Sequence, residues 1–123
     1  LISVDRRTLP GESEAQTRRA LGEFLKSRKL NAKVSNVKLK PCPALETDAQ
    51  LPLVKQFLCC IGQKRAVGLH YFCDAAVLAR GGIPSVVFGP GDIAQAHTAD
   101  EWVQISQLEQ GRAMLLSFLK SLP

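Results

Sequence analysis

Residues 83–89 read IPSVVFG, and the chain then turns through Pro90 and Gly91. The run is rich in β-branched and aromatic residues and lacks the apolar–polar alternation of a strand with one wet face. It suits a strand covered on both faces, as in a parallel sheet. Such a strand needs helices on either side, so this stretch constrains the fold more than any other. It predicts an α/β architecture with residues 84–88 as a central strand. Gly89, Pro90 and Gly91 then leave the strand's carboxyl end, where open α/β sheets bind their ligands.

The surrounding segments fit the same class. LISVDRR at 1–7 alternates apolar and polar residues, as a half-buried strand does, and a turn at LPGE follows. Ser13 and Gln16 have capping-box spacing. They predict a helix running to about Leu30, with Leu21, Phe24 and Leu25 on its buried stripe. AKVSNVKLK at 32–40 alternates again. Residues 1–40 thus read as strand–helix–strand, a layer separate from the main sheet, and Pro41 and Pro43 mark the crossing into a second domain at 41–123. There, Pro52 and Gly62 bracket a helix. AVGLHYF at 66–72 reads as a short strand, and DAAVLARGG as a short helix stopped by Gly81 and Gly82. A last helix is expected from Ser106, with Glu109 completing a second capping box and Leu108, Leu115, Leu119 and Leu122 facing the core.

Charge narrows the function. The 123 residues carry a net +5, but residues 1–40 hold ten Lys and Arg against four Asp and Glu, and the rest six against seven. No aromatic residues are interleaved with the basic ones for base stacking. The basic surface is therefore read as a solvated face, with no nucleic-acid partner expected. No apolar run approaches the roughly 20 residues of a membrane-spanning helix, and no membrane partner is expected. The start shows no basic-then-apolar leader. Leu1 opens directly into strand-like sequence, which reads as entry partway through a fold. Cys42, Cys59, Cys60 and Cys73 form no C-x-x-C pair. Read as buried, reduced thiols, they point to the cytoplasm.

The loop GPGDIAQAHTADEW at 89–102 holds one of the two histidines. His97 can offer a neutral imidazole to a metal, with Asp100 and Glu101 orienting the ring. By spacing alone, a surface loop whose histidine caps a helix is slightly the better reading, because His97 has no ligand partner at i+4. No Lys-Ser/Thr pair follows the glycines, which excludes a phosphate loop. Cys73 stands near His70 without a third group, so a structural cysteine is expected there.

The segment CDAAVLARGGIPSVVFGPGDIAQAHTADEWVQISQLEQG at 73–111 resembles the carboxyl-terminal part of the dinuclear-zinc deacylase and carboxypeptidase family. That family includes acetylornithine deacetylase, succinyl-diaminopimelate desuccinylase and glutamate carboxypeptidase. GPG and AHTADEW are most similar to the acetylornithine deacetylase branch. SVDRRTLPGE at 3–12 resembles part of the family's lid, and PALETDAQLPLVKQF at 43–57 the return to its catalytic domain. The resemblance implies the carboxyl-terminal half of a phosphorylase/hydrolase-like zinc-peptidase catalytic domain, preceded by half of a ferredoxin-like lid. It also implies a zinc-dependent amidohydrolase acting on small N-acyl amino acids or peptides, and a homodimer formed through the lid segment or the missing amino-terminal half.

Residue by residue, the resemblance implies that His97 is the last zinc-ligating histidine and that Gly89, Pro90 and Gly91 line the substrate pocket. Arg7 matches a lid arginine holding a substrate carboxylate, a task that suits a planar guanidinium. Asp74 matches a recurrent acidic position near the site, although Cys73 stands where Ser or Thr is usual. The family's His-x-Asp motif, bridging aspartate, Glu-Glu pair and lid histidine have no counterpart: His70 leads into Tyr-Phe and His97 into Thr-Ala. The chain is therefore expected to hold no catalytic residue and to be inactive alone, as a fragment or a piece of a split enzyme. The competing expectation is a truncated, non-catalytic paralogue that serves as a dimerising interaction module. Zinc or cobalt, and the acyl group and amino acid of the substrate, are left open.

Overall fold

The computed structural model describes residues 1–35 and 43–123. It contains four α-helices: α1 (Glu14–Ser27), α2 (Pro52–Cys60), α3 (Ala75–Arg80) and α4 (Ile105–Ser121), with a 3-10 turn at Ile93–Gln95. Two compact units form. One comprises Leu1–Glu46 with His70–Ser85, and the other Thr47–Leu69 with Val86–Pro123. No helix is long and apolar enough to cross a membrane among the described residues.

In the first unit, the LPGE turn is closed by charge. Arg6 donates to both carboxylate oxygens of Glu12, at 3.1 and 2.9 Å, while the Leu9 N–H donates to Glu12 Oε2 at 2.8 Å. The predicted capping box is present on α1. The Gln16 N–H donates to Ser13 Oγ at 3.1 Å, and the Ser13 N–H to Gln16 Oε1 at 3.3 Å. The helix ends at Ser27, three residues before the expected Leu30. Lys29 takes a left-handed φ of 57°, and the N–H groups of Lys29 and Leu30 return to the carbonyls of Lys26 and Leu25. That is a Schellman cap with lysine where glycine is usual. Gly62 and Gly82 close α2 and α3 in the same way, with φ of 70° and 87°.

In the second unit, α2 packs on α4. Val54, Phe57 and Ile61, at i, i+3 and i+7, form the buried stripe of α2. Phe57 meets Phe118 of α4 at 5.0 Å and Phe88 at 5.2 Å, both edge-to-face. That geometry sets the positive ring edge against the negative face. At the helix ends, Gln56 Nε2 donates to the Ser121 carbonyl at 2.6 Å and to its Oγ at 2.8 Å.

Several expectations are corrected here. No strand forms among the described residues, so the α/β sheet is not seen. Residues 1–6, 66–72 and 84–88 lie in neither a strand nor a helix. A strand is defined by a neighbour that takes its N–H and C=O groups, and no described segment supplies one. The strand expected at 32–40 and the boundary near residue 40 fall largely in 36–42, outside the described residues, as does Cys42. The second capping box is not made: α4 begins at Ile105, and its N-cap Gln104 accepts no side-chain bond. Leu108, Leu115 and Leu119 are exposed, and the inward face of α4 is instead Gln107, Gly111, Met114 and Phe118. On α1, Leu21 and Phe24 are exposed and only Leu25 is half-covered. Cys59 is exposed, with Cys60 and Cys73 half-covered, so the thiols are free but not buried.

Candidate functional site

Gly89, Pro90, Gly91 and His97 belong to the second unit, and Arg7 and Asp74 to the first. The glycine loop is seated by packing. Pro90 packs on α4 at Gly111, where an added Cβ would lie in ordinary contact with the proline ring at 3.5 Å. Gly91 has a φ of 93°, and an added Cβ would meet Val103 at ordinary contact distance, 3.4 Å. The backbone conformation therefore favours glycine at 91. Asp92 follows as a side-chain cap: its carboxylate accepts from the Ala94 N–H at 2.9 Å and starts the 3-10 turn.

His97 lies just beyond that turn, exposed and with a φ of 62°. A left-handed histidine is uncommon and costs on the order of 1–2 kcal/mol against glycine. The conformation is held from both sides. The His97 N–H donates to Glu101 Oε2 at 3.1 Å, and Thr98 Oγ1 donates to the Gln95 carbonyl at 2.8 Å. Glu101 thus fixes the backbone of His97 rather than its ring. The histidine caps no helix, since α4 starts eight residues later. The His97 side chain is exposed and its imidazole makes no hydrogen bond among the described residues.

The remaining candidates are simpler. Arg7 is exposed and lies 3.4 Å from Asp5, an equally exposed carboxylate. Its neighbour Arg6, also exposed, is held by two hydrogen bonds to Glu12, whereas Arg7 has only the looser pair with Asp5. Asp74 occupies the N-cap of α3, but its side chain makes no capping bond there. His70 has Tyr71 for a neighbour, with ring centroids 6.4 Å apart. Among the described residues, no three His, Cys, Asp or Glu side chains stand close enough together to hold a metal. A catalytic zinc takes about three protein ligands. These residues therefore do not fit one by themselves, and His97 stands as a single donor.

Reading by residue type missed Glu101's grip on the His97 backbone and the seat at Gly111. A glycine in mid-helix, where it costs about 1 kcal/mol, was the available signal for the second. Asp92 two residues before Ala94 was a legible Asx turn.

Residues 26–121 match the model of peptidase family M20/M25/M40. The chain belongs to that family, which makes it a hydrolase-family domain. It is 50% identical over 42 residues to the N-acetyl-L-citrulline deacetylase of Xanthomonas campestris, covering 34% of this chain and 12% of that protein. It is 41% identical over 46 residues to the N-formyl-4-amino-5-aminomethyl-2-methylpyrimidine deformylase of Halalkalibacterium halodurans, covering 37% and 11%. The deformylase of the same name from Bacillus subtilis is 42% identical over 48 residues, covering 39% and 11%. The matched stretches thus span 11 to 12% of these relatives' lengths. No solved structure matches the chain.

Proposed function

We propose that this chain is part of a zinc-dependent amidohydrolase that removes acyl groups from N-acyl amino acids, in the manner of an acetylornithine deacetylase, or cleaves related peptide bonds. The family match over residues 26–121 carries the reading. The relatives' names, a deacetylase and a deformylase, support removal of a small acyl group from nitrogen. Within this reading His97 is one metal ligand, and the other ligands and the general base come from protein beyond these 123 residues. Gly89, Pro90 and Gly91 line the substrate pocket. Arg7, free of the Glu12 pair, holds a substrate carboxylate, and Asp74 lies near the site. Residues 84–88 become a strand when the rest of the sheet lies beside them, completing an α/β catalytic domain. Residues 1–40 belong to a lid through which two copies associate, and the free thiols suit a reducing, cytoplasmic setting.

The test is hydrolysis of N-acetyl and N-formyl amino acids by the whole protein, with and without His97→Ala. Loss of a metal ligand should lower kcat/KM by about 100-fold or more, against the 10- to 100-fold typical of losing a group that only supports a ligand. A fully active His97→Ala protein would return the loop to a surface role. Arg7→Lys keeps the charge but loses the planar fork, and should chiefly raise KM for carboxylate-bearing substrates. A whole protein that dimerises yet hydrolyses none of these compounds would favour the interaction-module reading.

A further inference from the structure

The first unit carries a groove along α1 that the proposed hydrolase chemistry does not use. It encloses about 370 Å³ and is lined by Ala15, Arg18, Arg19, Gly22, Lys26, Ala32 and Val34. Ala15, Arg19, Gly22 and Lys26 fall at i, i+4, i+7 and i+11, on one face of the helix. The returning chain at Ala32 and Val34 forms the opposite wall. The floor is small side chains and the rim is cationic. Arg18 is partly occupied by Glu14, 3.5 Å away. Arg19 and Lys26 have no ion pair or side-chain hydrogen bond among the described residues, and they stand two turns, or about 10 Å, apart along the helix.

Gly22 is the second observation. It lies in mid-helix, its φ is ordinary, and a Cβ built on it would meet nothing within 4 Å. Among the described residues neither the turn geometry nor packing requires glycine there, yet glycine weakens a helix. A side chain at 22 would stand in the open space of the groove between Arg19 and Lys26.

We propose that this groove binds an acidic, extended peptide segment. An extended chain that alternates acidic and small residues sets its carboxylates on one side at intervals of about 6.8 Å. Two or three of them span Arg19 and Lys26, while the peptide backbone lies over Gly22. The groove is open to solvent, its lining being exposed or half-covered, which suits a strand laid along it better than an enclosed small molecule. No aromatic residue lines it, so it offers bases no stacking platform.

The experiment titrates a fluorescein-labelled pentapeptide of alternating glutamate and alanine into the full 123-residue chain, read by anisotropy at low and high salt. Binding should weaken with salt, because exposed pairs are screened. The double substitution Arg19→Glu with Lys26→Glu should weaken it by about 10-fold or more. Gly22→Leu should weaken it comparably while circular dichroism shows α1 retained or strengthened, which separates blockage from unfolding. Arg28→Glu, on the same helix but outside the groove, should cost less than threefold. No binding at low salt, an equal loss with Arg28→Glu, full binding by Gly22→Leu, or tighter retention of a single-stranded oligonucleotide than of the peptide would each overturn the proposal.

Discussion

Lys29 and His97 are the two non-glycine residues with positive φ among those described, at 57° and 62°. Lys29 sits where a Schellman cap ordinarily takes glycine, with its neighbours' carbonyl groups satisfied and its side chain exposed. Lys29→Gly should therefore stabilise the chain by about 1 kcal/mol, measured by urea denaturation. A loss of stability would mean that the lysine's own contacts outweigh the strain. His97 is held in the same conformation by Glu101, on a loop that presents its ring outward. His97→Gly should relieve a similar strain, stabilising the isolated chain by about 1 kcal/mol. Under the proposed function, the same substitution in the whole protein should lower kcat/KM by about 100-fold or more. A His97→Gly chain that melts earlier than wild type would remove the argument that the conformation is maintained against a local cost.

At the scale of elements, the turn before α1 and the α2–α4 pair respond to different variables. The Glu12 carboxyl ionises at about 2 rather than near 4.5, chiefly because Arg6 donates to it and next because the Leu9 N–H does. Its folded value lies below its unfolded one. The contribution to stability is therefore complete above about pH 4.5 and is lost as the pH falls toward 2. The pair is solvent-exposed, so the effect is local. The amide proton of Leu9 should titrate by NMR with a midpoint near 2, and a midpoint near 4.5 would show that the turn is open in solution. The α2–α4 pair depends instead on apolar contact. Phe57 is nearly covered and joins two other rings, so Phe57→Ala should cost about 3–5 kcal/mol. That approaches the whole stability of a small domain. Helical circular dichroism at low urea checks it, and a cost below 1 kcal/mol would mean that the aromatic cluster is not what joins the two helices.

At the scale of the molecule, little apolar surface is buried among the described residues. Among the described residues, only Val54, Phe57, Ile61 and Ala76 form the buried apolar set. Ile105, Leu108, Leu115 and Leu119 of α4 and Val86 and Val87 beside the loop remain in water. Denaturation of the isolated chain should accordingly be shallow, with an m-value below that of a compact protein of equal length, because unfolding uncovers little new surface. A steep, single transition would contradict this.

The local decisions were legible in the amino acids. The Ser13–Gln16 box, Pro52 at the first turn of α2, and the glycines that stop α2 and α3 act through groups one to five residues apart, and each formed as the pattern predicts. The loop from Gly89 to Glu101 was likewise marked by its glycines and histidine. The outcome differed where a residue's state depends on something far away in sequence. Val86, Val87 and Phe88 carry the composition of a buried strand, but pairing and burial are properties of neighbours, and only Phe88 found its ring partner, on Phe57. The leucines of α4 have helical periodicity on more than one face, and only packing against α2 and Pro90 decided that Gly111, Met114 and Phe118 turn inward. The amino-acid sequence by itself determined the capping box of α1, the first turn of α2 and the glycine stops of α2 and α3, because caps, turns and φ preferences are short-range. The tertiary structure alone decided which apolar faces are covered and that Phe57 meets Phe88 and Phe118 while Gln56 bonds Ser121, because burial and long-range contacts need a partner that no local pattern contains.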